Sequence, residues 1–532
     1  MRTTALAAAL VALFAGSAQA QGFNPFEAIG KAMENAAQQQ QLQQGQAAQP
    51  TNAAAAAPAN AANQLGLAVA TKREVVYEGY TKDMQPVKQM LAEGNAGQAL
   101  QSKTPEGDAL DKLDMLGNLE LATLALDAEA LEQAKDGFQR AELALNQKDE
   151  RSTVGGVFSG AKDTMLSALT GNDELGEYPG SGYERVLMLN YKSIAYLLDG
   201  ERKAYSVTRR AIDLQNIEKQ RFDEMLRAAE AKIKEEEDKQ KEKGAELGAY
   251  GFDDVVDEQY KATDKMASKV PHAFVNPFGF YVAGVVQELD SYEDRSLRDN
   301  ARISYRKALE LNPKSAVIKQ AVAELGKPAP KGRRLVNVIV ADGFAPEKKL
   351  LKFDLILGAS LPTSIELPLY EPVDSQVARV DIQLPSGKRL AQASEVADIS
   401  ALALRFQKDA GPIHQLRMMT TVIRNIIEGQ AWNQAQQQAG IFGSVLGGLK
   451  KARDEMAHPD MRSWVTLPSR LLAARAFVPS SVTQVQVVAF DRKGRKLSSQ
   501  RVNIDRETPS LVYARVIDKT MYAATSKPMW VK

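Results

Sequence analysis

Three stretches of this 532-residue chain repeat one pattern: Ala134, Phe138 and Ala141; Ala204, Thr208 and Ala211; Ala301, Tyr305 and Ala308. Each sets a small residue, a larger one and a second small one four and three positions apart, which puts all three on one face of an α-helix. Small side chains let two helices approach closely, and the larger one fills the gap beside them. The pattern therefore predicts antiparallel helix pairs that nest through their alanines. A stack of such pairs exposes one face along its length, and stacks of this kind bind other proteins.

Apolar residues at helical spacing mark a first helical region between Gly107 and Asn146, with Leu110, Leu113, Leu116 and Leu119 on the pattern. A second pair covers Tyr183 to Asn216, broken at Asp199-Gly200 by an inter-helix turn. The third runs from Asn276 to about Leu325, with extra residues around Ser291 to Ser296 between its helices. Residues Arg151 to Pro179 interrupt the helical texture with glycine, and a short helix is expected near Lys162 to Leu169. The charged stretch Lys232 to Lys243 mixes Glu and Lys three and four apart, which favours a solvated helix extension over a binding surface for a charged partner.

Lys327-Pro328-Ala329-Pro330-Lys331-Gly332 stops the last helix and marks a boundary. Beyond it, segments rich in Val, Ile and Leu read as strands: Leu335 to Ala341, Leu350 to Leu357, Ser364 to Tyr370, Gln376 to Leu384, Trp464 to Leu467, Leu472 to Val478, Val482 to Phe490, Lys496 to Ile504 and Leu511 to Val516. A helical insertion is expected over 412–456. The fold class expected is multidomain α + β: a stacked-helix domain over 74–326, then a mainly β, sandwich-like domain over 333–532 carrying that insertion.

The N-terminus carries an address. Arg2 supplies positive charge, Ala5 to Ala15 form an apolar run too short to span a bilayer, and Ala18-Gln19-Ala20 suits signal peptidase. The expectation is a cleavable signal peptide over 1–20, cut after Ala20, and a periplasmic or secreted protein. Residues 21–73, dominated by Gln, Ala, Asn and Gly, read as a disordered tether. Cysteine is absent, which excludes disulfides, thiolate metal sites and a lipidated cysteine. Lysine plus arginine number 67 against 66 acidic residues, a balance that offers no global attraction for nucleic acid.

No catalytic chemistry stands out. His272, His414 and His458 are far apart and lack HExxH spacing, and no G-x-S-x-G elbow or phosphate-binding loop occurs. The expectation is a non-enzyme with no catalytic residue, no metal and no cofactor. The most distinctive string, Tyr178-Pro179-Gly180-Ser181-Gly182-Tyr183-Glu184-Arg185, has two readings. Its glycines cap a helix whose tyrosines pack inside, or Tyr183 and Arg185 help line a peptide groove; aromatics near helical spacing favour the first. As a groove lining the candidates are Tyr183, Arg185, Asn190, Tyr191, Arg209, Arg210 and Tyr305. Within 412–456, the stripe Met418, Met419, Val422, Ile423, Ile426 and Ile427 is expected to cover a face of the β-domain. The glycine-flanked stripe Ile441 to Leu449 is either buried or a peripheral membrane or partner contact.

Two resemblances follow from these motifs. The copy Ala301 to Ala308, continuing through Leu309-Glu310-Leu311-Asn312-Pro313, resembles the second helix of a tetratricopeptide repeat and its terminating proline. The order of signal peptide, Tyr178 to Arg185 string, helix pair ending Arg209-Arg210-Ala211, repeat ending Tyr305 to Pro313, and Asp460 to Pro468 with Leu472 to Pro479 resembles an uncharacterised family of bacterial cell-envelope proteins. Members are often lipoproteins, from which a chain without cysteine departs. The resemblance implies a tetratricopeptide-like half and an envelope location. The function expected is an exported scaffold or adaptor whose helical repeats hold another envelope protein or peptide segment. The alternative is a small-ligand or glycan-binding protein that uses the β-rich domain near Trp464 or the space between domains.

Overall fold

The computed structural model describes residues 67–154, 178–242, 251–357, 363–423 and 459–528. The signal peptide, the tether as far as residue 66, the expected helix near Lys162 to Leu169, Ile426, Ile427 and the stripe Ile441 to Leu449 lie outside the described residues. The described chain is mixed α + β. Strand β1 (Leu67–Val76) leads into the short helices α1 (Tyr80–Asp83), α2 (Gln85–Ala92) and α3 (Ala96–Lys103). Then follow α4 (Met115–Asp127), α5 (Leu131–Val154), α6 (Gly182–Leu198), α7 (Lys203–Glu242), α8 (Phe252–Tyr260), α9 (Asp264–Ala267), α10 (Pro277–Asp290), α11 (Leu297–Leu311) and α12 (Ala316–Leu325).

Local chemistry sets the helix ends. The Asp114 carboxylate accepts from Gly117 N at 2.9 Å to cap α4. Ser181 and Glu184 form a capping box on α6, and Asn276 caps α10 with Pro277 at its first position. Gly200, at φ 79°, turns the chain from α6 into α7. All nine residues of the repeated pattern are buried. Helices pack in sequence order, α4 on α5, α5 on α6, α6 on α7, α7 on α10, α10 on α11 and α11 on α12. At Gly284 a Cβ would sit 2.7 Å from the Tyr305 ring, so glycine lets α10 and α11 close up. Along the outer half of α7, Lys232 pairs with Glu235, and Lys239 with Glu235 and Glu236.

The strand-rich half holds β2 (Arg333–Asp342), β3 (Glu347–Leu357), β4 (Thr363–Glu371), β5 (Arg379–Gln383), β6 (Arg389–Gln392), β7 (Ser394–Asp398), helix α13 (Ile399–Asp409), β8 (Arg470–Pro479), β9 (Gln484–Phe490), β10 (Lys496–Asn503), β11 (Ser510–Ile517) and β12 (Thr520–Thr525). A five-stranded sheet runs β12-β11-β2-β8-β7, with β2 and β11 parallel and its other pairs antiparallel. A four-stranded sheet runs β10-β9-β5-β6. Strand alternation divides β2: Val336, Val338 and Val340 meet Val380, Ile382, Val485 and Val487 of the smaller sheet, while Ile339 and Ala341 join the helices. The helices, the large sheet and the small sheet therefore form three layers.

A third sheet, β1-β3-β4, packs against a separate apolar cluster. Phe222, Ala229 and Ile233 of α7, Val255 and Val256 of α8, and Met418, Met419 and Val422 of a helix over 411–423 cover its Leu351, Phe353, Ile365 and Leu367. The described part of the first stripe, Met418, Met419, Val422 and Ile423, thus lies on this sheet. Strand β1 begins inside the stretch read as tether, because residues 67–69 and 73 find antiparallel partners in β3, as at Phe353↔Arg73, 280 positions apart. Trp464 to Leu467 is not a strand. Its amides are taken by carboxylates: Trp464 N donates to Glu184 Oε1 at 2.8 Å, and Val465 N and Thr466 N donate to Glu120.

Candidate functional site

The face of the large sheet that meets the helices is charged. Arg475 of β8 and Arg515 of β11 stand at positions that strand alternation turns toward the helical layer, and both are fully buried. Arg475 donates in bidentate fashion to Glu288 of α10, at 2.8 and 2.7 Å, and through Nε to Glu324 of α12 at 2.7 Å. Tyr305 O–H donates to the same Glu288 carboxylate at 3.0 Å. Burial opposes the charge on Arg475, but the Glu288 carboxylate outweighs it and raises the guanidinium pKa. Arg515 donates to Thr466 O at 2.9 Å.

Helix α4 supplies two buried carboxylates to this seam. Glu120 accepts from Val465 N at 2.9 Å, Thr466 N at 3.3 Å, the Tyr80 hydroxyl at 3.3 Å and the Thr466 hydroxyl. Burial pushes its pKa up to about 7 against those donors. Asp127 is pushed up to about 6 by burial, with the Arg515 guanidinium drawing it down. Trp464 lies between them and is 1% exposed. Its indole N–H donates to Thr123 Oγ1 at 3.0 Å, and its ring meets Tyr191 edge-on at 5.8 Å and Phe138 at 6.2 Å.

Of the seven candidates for a groove lining, five are buried, in line with the favoured reading in which the tyrosines after the Tyr178 to Arg185 string pack inside. Tyr183, Arg185, Asn190, Tyr191 and Tyr305 are each at most 2% exposed. Tyr191 packs against Tyr513 and Phe278, and Tyr183 against Phe406. Arg185 donates to Asp149 at 3.0 Å, Glu218 at 3.2 Å and Pro179 O. The chain itself covers them: Tyr191 and Tyr305 meet Tyr513 and Arg475 of the large sheet, whereas Arg185 and Asn190 are enclosed by neighbouring helices. Only Arg209 and Arg210 are exposed, and Arg210 pairs with Glu142 at 2.8 Å.

Open concavities lie elsewhere, one on each side of the segment carrying α8 and α9. The first, of about 320 Å³, is walled by Asp254, Asp257, Glu258, Lys261, Asp264 and Lys408, of which Lys408 and Asp264 pair at 2.9 Å. The second, of about 530 Å³, has Met266, Leu369 and Pro372 as an apolar floor and Arg73, Lys265 and Lys269 on its rim. Beneath the segment Tyr260 O–H donates to Pro368 O at 3.0 Å and meets His414 Nδ1 at 2.7 Å. Burial lowers His414 to about 3, so its imidazole is neutral and serves packing. Sequence reasoning missed both concavities, because their walls come from β1, α8, α9, β4 and α13.

Among the described residues no cluster of three or more His, Asp or Glu side chains could hold a metal ion, and no helix is long and apolar enough to cross a membrane. No protein-family model matches the chain, and neither a curated protein nor a solved structure matches it.

Proposed function

We propose that the protein is an exported, non-enzymatic scaffold of the cell envelope that holds a segment of another protein against its helical region. The single observation that supports this reading is the apolar-floored cleft between α8–α9 and the three-stranded sheet. A volume of about 530 Å³ takes one or two side chains of an extended segment; Arg73 and Lys265 on the rim suit one bearing carboxylates, while Glu371 also lines the cleft and Lys269 pairs with Asp398 at 2.8 Å. Tetratricopeptide-like stacking of the helix pairs and a sandwich-like pairing of the two sheets belong to the same reading. So do export by a signal peptide and membership of the envelope family that the motifs resemble. In this scheme the chain's own sheet occupies the inner face of the stack, and the partner docks beside α8.

A photo-crosslinking residue at exposed Ala262, on the cleft wall, is expected to capture one envelope protein in cells, and Met266→Glu to abolish that adduct. Adducts from Arg209 on the outer helical face but none from Ala262 would overturn the assignment.

The second reading, a ligand site around Trp464, is disfavoured. Trp464 lies beneath α4, α5 and α6, with its N–H already bonded, so a ligand could reach it only by parting the helices from the sheet.

A further inference from the structure

The outward face of the four-stranded sheet and its two end turns carry a group of cationic side chains. Register places Arg379, Phe490 and Lys496 in one row, Asp381, Val488 and Ser499 in the next, and Gln383, Gln486 and Arg501 in a third. Strand β6 adds Gln392 beside Asp381 and Arg389 beside Gln383. The alternate residues Val380, Ile382, Val485 and Val487 face the large sheet, so these rows face away from it. The rows at 379 and 383 are about 14 Å apart.

Charge is segregated onto this face. The turn between β5 and β6 carries Lys388, and the turn between β9 and β10, at the opposite end, carries Arg492 and Lys493. Among the described residues of its four strands and two end turns the carboxylates are Asp381 and Asp491, and both are engaged. Asp381 lies 3.4 Å from Arg379 and 3.9 Å from Arg389, and Asp491 pairs with Arg495 at 2.7 Å. Lys388, Arg492, Lys493, Lys496 and Arg501 are exposed and make no ion pair within 4.0 Å among the described residues. A chain with a formal charge of +1 thus places cations at both ends of this sheet, with Gln383, Gln392 and Gln486 between them and Asp381 and Val488 of the middle row buried.

We propose that this face binds an anionic polysaccharide, with the arginines and lysines meeting its acidic groups and Gln383, Gln392 and Gln486 meeting its hydroxyls. Amide side chains both donate and accept, as sugar hydroxyls require. The alternatives fit less well. Single-stranded nucleic acid needs an open aromatic platform, whereas the Arg379 guanidinium caps the Phe490 ring at 4.3 Å. A bilayer surface calls for apolar side chains to insert, and none of the exposed large apolar residues belongs to this face. The inference does not depend on the cleft beside α8, which lies on the other sheet.

The test is calorimetric titration of the full mature protein with a size-defined heparin oligosaccharide at about 50 mM NaCl, where surface charges act with little screening. Binding that weakens with salt is expected, with neutral dextran inert. Arg389→Gln/Arg501→Gln and, separately, Arg492→Gln/Lys493→Gln should each weaken it by about tenfold or more, about 1.4 kcal/mol. Lys232→Gln/Lys234→Gln on the distant α7 should leave it unchanged, and thermal midpoints of all variants should match the parent. No binding, equal binding by dextran, or indifference to both sheet variants would overturn the proposal. Tighter binding of a thymidine oligonucleotide or of phosphatidylglycerol vesicles than of heparin would overturn the choice of polysaccharide.

Discussion

Glu120 shows how a single buried carboxyl couples two layers. Its oxygens accept the amides of residues 465 and 466, so together with the Trp464 indole N–H bond to Thr123 it ties helix α4 to the segment before β8. Its folded pKa is raised from 4.5 to about 7, so the native state keeps a proton that the unfolded chain has already released. Stability from this group is therefore complete below about pH 4.5 and is lost as pH rises through about 7. Asp127, raised to about 6, acts with the same sign. The denaturation midpoint should fall between pH 6 and pH 8, with Glu120 contributing up to roughly 3 kcal/mol over its full titration. Glu120→Gln should flatten that part of the profile. An unchanged slope in the variant, followed by chemical denaturation across the pH series, would remove Glu120 from the explanation.

Among elements, the α10–α11 pair depends on close approach. Gly284 of α10 faces the Tyr305 ring, which cannot retreat because its hydroxyl is bonded to Glu288 and its ring lies 5.4 Å from Tyr281. Gly284→Ala should therefore cost about 1–3 kcal/mol by overpacking. Gly97 in α3 has nothing within 4 Å of an added Cβ, so Gly97→Ala should be neutral or gain up to about 1 kcal/mol from helix propensity. Thermal melts of the two variants separate the packing effect from the propensity effect; a harmless Gly284→Ala would mean that the pair is looser than drawn. The same logic explains why the repeated alanines were legible in sequence. Spacing along one helix is local information, and a small residue repeated on one face has few uses other than contact with a neighbour.

At the scale of the molecule, the helical and strand-rich halves share one core. Leu187, Tyr191, Tyr281 and Val285 pack in the same cluster as Ile339, Leu471, Trp464 and Tyr513. The linker after Leu325 separates the two kinds of secondary structure without separating two cores. Residues 75–326 produced alone would expose that apolar face and take from Glu120, Asp127 and Glu288 the Thr466 amide, Arg515 and Arg475 that face them from the strand-rich half. The fragment should lack near-ultraviolet dichroism and a cooperative melt, while the full chain gives both; a sharp transition in the isolated fragment would show that the halves fold independently.

Helical periodicity, the glycines at the entry to α6, the break at Gly200 and most strands were readable because each rests on residues a few positions apart. Burial of the tyrosines was the favoured reading, but what covers them was not legible, because it arrives from distant chain: Phe406 lies against Tyr183, and Trp464 and Tyr513 against Tyr191. Arg475 illustrates the limit: a charge amid Leu471-Leu472-Ala473-Ala474 reads as facing water, until Glu288 and Glu324 are brought against it. Local chemistry chose the elements. Which of their faces met one another was settled by long-range burial, because desolvating a charge or a ring is favourable only when a distant partner is there to receive it.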